Sequence, residues 1–170
     1  MKRLVTLVAF ALGLVTVAAC QDPPPSKGTY TIAFPSTAAA VATDFVQVLV
    51  FDVGSADRGS LCQDLITKRQ TSPETLTPSI DPPERPVNIC AMLGGRLPLT
   101  LPYGEHALLA VAQRQDSEDQ LKDFMIGCAI MTIGEGDAPI SIPVRLVNVS
   151  QPVPQTRCAS VGEFCDEKCL

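Results

Sequence analysis

The sequence predicts an all-β fold, a small β-sandwich whose loops and C-terminal tail are stapled by disulfides. Six or seven short segments alternate or cluster apolar residues as strands do, with turn residues between them and no long helical period. Residues 45–51, FVQVLVF, are the clearest of these segments. The chain has seven cysteines, and six remain when Cys20, near the N-terminus, is set aside. An even number of cysteines in an exported chain indicates three disulfide bridges.

The first 19 residues predict a signal peptide. Lys2 and Arg3 supply a positive start, and residues 4–19 are almost wholly apolar. At 16 residues this run is short for a membrane-spanning helix, which needs about 20. A secretory segment, later cleaved, fits the pattern better than an uncleaved membrane helix.

The segment ends in Val17-Ala18-Ala19-Cys20, which resembles the lipobox of bacterial lipoproteins. The resemblance implies cleavage before Cys20 and attachment of diacylglycerol and a further acyl group, such as palmitate, to that cysteine. Two or more chains suffice for stable membrane anchoring. Gln21 stands where aspartate usually retains such proteins in the inner membrane, so the resemblance implies a cell-envelope protein anchored to the outer membrane.

Charge bears on the class of partner. Loss of residues 1–19 lowers the Lys and Arg count from 13 to 11 against 18 Asp and Glu, a net charge of −7 for an acylated mature chain. Nucleic-acid binding calls for a clustered basic face, so no nucleic-acid partner is expected. The membrane is reached through the acyl chains, and the protein or ligand partner is left open.

The N-terminal elements follow in order. Residues 20–28 hold the acylated cysteine and a proline-rich tether, because three consecutive prolines favour extended polyproline II. The sandwich domain is predicted over 29–149. Alternating Tyr30, Ile32 and Phe34 predict its first strand, and residues 36–43 fit either a short helix or an extended link. Residues 45–51 are apolar on both faces, which predicts a strand in the middle of a sheet.

The middle of the chain predicts mostly loop. Residues 52–60 are rich in turn formers, and residues 61–66 could form one or two helical turns. Five prolines within residues 71–86 exclude a helix or a central strand there, so a surface excursion is expected. Residues 88–92 could form a short strand.

Four further strands are predicted before the tail. Residues 96–101 alternate between apolar and other residues, with Pro98 indicating an edge. Residues 106–113 predict a strand that is apolar on both faces. Residues 116–123 form a polar loop and residues 124–133 the next strand. A last strand over 140–149 carries Pro143, which again indicates an edge. The tail, 150–170, has little to bury and three cysteines.

The predicted disulfide cysteines are Cys62, Cys90, Cys128, Cys158, Cys165 and Cys169. Fifteen pairings are possible. The favoured one joins Cys62 to Cys128 as an inter-sheet bridge and uses Cys90 to tie the tail down. Zinc binding by the tail cysteines is the alternative, although no C-x-x-C pair is present.

Residues 101–112, LPYGEHALLAVA, are similar to a hairpin of transthyretin-like and carboxypeptidase-regulatory-like domains, in which an L-P-x-G turn opens a strand. The resemblance implies an Ig-like or transthyretin-like sandwich. The lipobox, the proline tether and a small cysteine-bearing sandwich together resemble outer-membrane lipoproteins, a resemblance that carries no activity with it.

No motif for catalysis stands out. His106 is the only histidine, no G-x-S-x-G elbow presents a serine, and the acidic loop 116–123 lacks the spacing of an EF-hand. We therefore expect no enzyme activity, catalytic residue, metal or cofactor, and interpret the chain as a lipid-anchored binding or scaffolding module. The alternative is an envelope enzyme or metal-dependent module that uses His106, the acidic loop or the C-terminal cysteines.

Overall fold

Two β-sheets and three helices make up the protein in a computed structural model, which describes residues 26–80, 86–101, 103–134, 140–150 and 152–169. The strands are β1 Ser26–Ala33, β2 Phe45–Asp52, β3 Val87–Asn88, β4 Arg96–Leu101, β5 Gly104–Gln115, β6 Leu121–Ile133, β7 Ile140–Pro143 and β8 Arg145–Leu146. The helices are α1 Thr37–Val41, α2 Arg58–Thr71 and α3 Val161–Cys165, with 3₁₀ helices at Pro73–Thr75 and Ile89–Gly95. The predicted all-β sandwich is confirmed.

The larger sheet has the strand order β3-β2-β5-β6-β8 and is antiparallel throughout. The smaller sheet has the order β4-β1-β7, in which β1 is antiparallel to β4 and parallel to β7. β2 is an inner strand and β4 an edge strand, as the apolar run and Pro98 predicted.

The larger sheet is buried on both faces. The face toward the smaller sheet contributes, among others, Val46, Val48, Val50, Leu108, Ala110 and Ala112 to a core that also holds Tyr30, Ile32 and Ile142. Burial raises the pKa of the Tyr30 phenol well above its ordinary value. The opposite face carries Leu49, Phe51, Leu109 and Val111, which pack with Leu65 of α2. Strands buried on both faces explain why the apolar runs of β2 and β5 do not alternate with polar residues.

The helix α2 corrects the prediction of a loop over 52–60 followed by one or two helical turns. Asp57 caps the helix by accepting a hydrogen bond from the Gly59 amide at 3.1 Å, and the helix then runs for 14 residues. Its apolar residues, Leu61, Leu65 and Ile66, cover the outer face of the larger sheet. The sandwich therefore has a third, helical layer on one side.

The predicted strand over 140–149 is two strands in different sheets. β7 pairs with β1 in the smaller sheet, the chain crosses at Val144, and β8 pairs with β6 in the larger one. Gly127 of β6 lies directly beneath this crossing, since a Cβ at that position would come within 2.0 Å of the Pro143 carbonyl oxygen. Both strands are edges, as Pro143 indicated. The prediction of one continuous strand was wrong because the segment pairs first with β1 of the smaller sheet and then with β6 of the larger one.

Three smaller differences complete the comparison. β1 begins at Ser26, so the last three residues of the predicted tether pair with β4. The ambiguous stretch 36–43 contains helix α1, which Ser36 caps. Instead of a strand over 88–92, only Val87–Asn88 pairs with β2, and a 3₁₀ helix follows. The signal segment, Cys20 and most of the tether lie outside the described residues.

The strand directions define two ends of the sandwich. The near end is the one at which the N-terminal segment enters β1. Here β1 begins opposite Leu101, and β5 also begins. At the far end β1 leads into α1, β2 begins opposite Gln113, and the β5–β6 hairpin turns. Eight extended residues of β1 separate the ends by about 25 Å.

Candidate functional site

The candidate site is a groove at the far end, here called the far-end groove. β1 contributes Ile32, Phe34 follows directly after the strand, and the 3₁₀ helix contributes Ile89. One wall is the start of α1, and the other is tail segment 159–162. The groove encloses about 380 Å³.

Two helix caps shape its walls. Pro35 follows the end of β1, and Ser36 then caps α1 by accepting a hydrogen bond from the Ala39 amide at 3.1 Å. In the tail, Ser160 caps α3 by accepting from the Glu163 amide at 3.1 Å. The Glu163 carboxylate accepts from the Ala159 amide at 2.8 Å, so this Ser-x-x-Glu pattern resembles a capping box.

Disulfides hold the tail wall in place. Cys90 pairs with Cys165, which joins the 3₁₀ helix to α3 with 5.3 Å between the Cα atoms. Cys158 pairs with Cys169 inside the tail. Phe164 and Val161 also pack against the inner core. The prediction that Cys90 ties down the tail is confirmed.

The third disulfide joins Cys62 to Cys128, with 5.4 Å between their Cα atoms. The predicted pairing is confirmed, but its description as an inter-sheet bridge is wrong. Cys62 lies in α2 and Cys128 on the outer face of β6, so the bridge attaches the helical layer to the larger sheet.

A polar cluster lies under the C-terminal end of α2. Arg69 donates to both carboxylate oxygens of Asp123 at 2.7 and 2.8 Å, and Gln113 Nε2 donates to the same carboxylate at 3.0 Å. The hydrogen bond to Asp123 raises the pKa of Arg69 despite partial burial. A β-bulge places these groups together, because Gln113 pairs with Asp123 and Ala112 with Met125, which leaves Phe124 as the extra residue. No local sequence pattern predicts this cluster.

The only histidine is buried at the near end. His106 is 3% exposed, and its Nδ1 lies 3.1 Å from Asp52 Oδ1 on the paired strand β2. The ring lies at the opposite end of the sandwich from the far-end groove, so the two do not form one site.

The acidic loop 116–123 is the exposed turn of the β5–β6 hairpin and the beginning of β6. Asp116 accepts hydrogen bonds from the Glu118 and Gln120 amides, each at 2.9 Å, and these bonds lower its pKa. Asp119 takes a positive φ of 59° to close the turn. Within the described part of the chain, no group of three or more His, Cys, Asp or Glu side chains is arranged to hold a metal ion.

None of the described helices is long and apolar enough to cross a bilayer. Comparisons of the chain with protein-family models, with curated proteins and with solved structures find no match. A function is therefore proposed from the chain's own residues.

Proposed function

We propose that this chain is a bacterial lipoprotein anchored through acylated Cys20 to the outer membrane of the cell envelope. The observation that carries the proposal is the position of Val17-Ala18-Ala19-Cys20 at the end of a basic and then apolar segment. The pairing of the other six cysteines in disulfides supports it, because Cys20 is then the one cysteine without a bridge to make. Extracytoplasmic compartments also favour such bridges.

We further propose a non-enzymatic binding or scaffolding role, toward an envelope protein or a ligand and not nucleic acid. The far-end groove supports a binding role. The alternative, an envelope enzyme or metal-dependent module, finds less support in the geometry. All three tail cysteines are oxidised, Asp116 is engaged by backbone amides, and His106 is buried beside Asp52.

Anchoring is tested by metabolic labelling with a fatty-acid analogue. The wild-type chain is expected to take up label and to run as the processed form. Cys20→Ser removes the acylated thiol, so it is expected to take up none and to remain unprocessed. Label on the Cys20→Ser protein would contradict acylation at Cys20.

Sorting is tested by density separation of inner and outer membranes. Gln21 favours the outer membrane, so the wild-type protein is expected there and Gln21→Asp in the inner membrane. An inner-membrane wild-type protein would contradict the proposed location and leave anchoring intact.

A further inference from the structure

We propose that the far-end groove binds the acyl chain of a neutral, single-chain amphiphile, such as a fatty alcohol or a monoacyl ester. This inference deepens the proposed binding role and is independent of the anchoring through Cys20. Three features of the groove carry it: an apolar floor, a described lining without ionisable side chains, and hydroxyl groups on both walls.

The floor of the groove is continuous with the inner core. Ile32 and Ile89 are 3% and 2% exposed, and both belong to the core cluster between the sheets. Phe34 and Val161 are half-buried and pack against the same cluster from either side. The two isoleucines are already almost wholly out of water, so an alkyl chain would gain mainly by covering the half-buried Phe34 and Val161, and removal of their apolar surface from water is the main driving force for such binding.

The described residues that line the groove are uncharged, and the nearby Glu163 carboxylate is engaged by the Ala159 amide. None of the described residues that line the groove is ionisable, whereas the cavity beside α2 contains Arg69, Lys122 and Asp123. A charged ligand group in the groove would lose water without gaining an ion-pair partner, which is unfavourable. The groove therefore selects against carboxylate and ammonium ends and favours a neutral one.

Hydroxyl groups stand on both walls. Ser36 and Thr37 lie at the start of α1, and Ser160 lies across the groove in the tail. The oxygens of Ser36 and Ser160 accept the capping hydrogen bonds, but a hydroxyl that accepts one bond can still donate its own proton. A neutral ligand end with an oxygen acceptor can thus be held there.

Size favours a small molecule over a protein segment. The volume of about 380 Å³ lies at the lower end of the range typical of small-molecule sites, about 300–1,000 Å³. A stable protein partner needs about 800 Å² of surface on each side, far more than one such groove supplies. The groove also lies about 25 Å from the start of β1, so the ligand is taken up at the end away from the proposed anchor.

The test uses the mature chain exported behind a signal peptide without a lipobox, so that it carries every described residue and no acyl group. Non-reducing mass spectrometry first checks that three disulfides have formed. The neutral fluorescent probe N-phenyl-1-naphthylamine is then bound and displaced with decanol, decanoate or decylammonium. We expect decanol to displace the probe at a concentration at least tenfold lower than either charged amphiphile.

Matched variants locate the site. Val161→Asp places a carboxylate in the groove wall and is expected to weaken decanol binding at least tenfold. Val149→Asp makes the same change at a residue that is 86% exposed and is expected to leave binding unchanged. Thr37→Phe fills the groove from an exposed position, so it keeps the test decisive if Val161→Asp fails to fold.

Several results would overturn the inference: no displacement by decanol, equal displacement by the charged amphiphiles, or decanol binding that Thr37→Phe leaves intact. Each of these results would contradict the amphiphile site. None would contradict acylation at Cys20, which fatty-acid labelling tests separately. A protein partner that binds the same chain without any decanol binding would overturn the ligand class and preserve the broader binding role.

Discussion

Substitution of Gly127 by alanine would place a methyl group where β6 passes beneath the crossing between the two sheets. The added Cβ would lie 2.0 Å from the Pro143 carbonyl oxygen and 3.0 Å from the Val144 Cα. Real Cβ atoms essentially never approach within 3.0 Å of another heavy atom, so the chain must shift by about 1 Å. Both obstructing atoms are backbone, which cannot turn aside as a side chain can.

This shift of the backbone would displace buried residues of the inner core. Val144 is 2% exposed and belongs to the inner core, and its amide donates to the Ala33 carbonyl at 3.0 Å. Moving this segment strains the packing at β1, β7 and β6 together. Overpacking of this kind costs about 1–3 kcal/mol, and the backbone contact places Gly127→Ala toward the upper end of that range.

Urea unfolding of the oxidised protein, followed by circular dichroism, measures the effect. With a slope of roughly 2 kcal/mol per molar urea, a loss of about 3 kcal/mol lowers the midpoint by about 1.5 M. Gly59→Ala is the matched control, because a Cβ there meets nothing closer than 3.5 Å and alanine favours helix by about 0.5–1 kcal/mol. A Gly127→Ala midpoint equal to wild type would refute the close approach of Pro143 to β6.

Three other changes have defined outcomes. Asp123→Ala leaves the half-buried Arg69 of α2 without its carboxylate, so it is expected to lower the free energy of unfolding by about 1–3 kcal/mol in urea melts. The control Lys168→Ala breaks an exposed pair and should change that free energy by less than about 0.5 kcal/mol. Because the pKa of Asp116 is lowered in the folded state, its contribution is present at neutral pH and is lost as the pH falls below about 4. The protection factors of the β5–β6 turn amides, corrected for the slower intrinsic exchange in acid, should fall there. Replacing both Cys62 and Cys128 with serine removes a bridge across 66 residues and should cost about 4 kcal/mol in the chain-entropy account, measured by thermal unfolding; a loss below about 1 kcal/mol would contradict that account.

The elements predicted best from the sequence are those whose structure depends mainly on their own residues. Residues 45–51 of β2 and 107–112 of β5 are apolar at nearly every position, which indicates strands with a layer on each face, and both strands lie inside the larger sheet. Pro98 and Pro143 lack the amide that an inner strand needs, and both lie on edge strands. Such local features need no knowledge of distant neighbours.

The helix α2 was largely missed because most of its stability comes from elsewhere. Its apolar stripe spans only 61–66, the Cys62–Cys128 bridge fastens that same part to β6, and the pairing of Arg69 with Asp123 holds the last turn. Those partners lie more than 50 residues away along the chain.

The far-end groove could not be predicted from the sequence for the same reason, because its residues lie far apart along the chain. Its floor comes from residues near 32 and 89, and one wall comes from residues 159–162. Only the Ser160-x-x-Glu163 pattern was visible locally, and it predicts the start of α3 without saying what α3 faces. The Cys90–Cys165 bridge brings that wall into place.

The central position of β1 in the smaller sheet has a mechanical consequence. β1 is paired with β4 on one side and with β7 on the other, and it is the first described strand after the N-terminal segment. A pull on that segment, as from an attached membrane, would load both rows of hydrogen bonds along their strands at once instead of opening them one after another. Resistance to such a pull is governed by the rate of unfolding under load. The strand nearest the proposed anchor is thus the one best placed to bear tension.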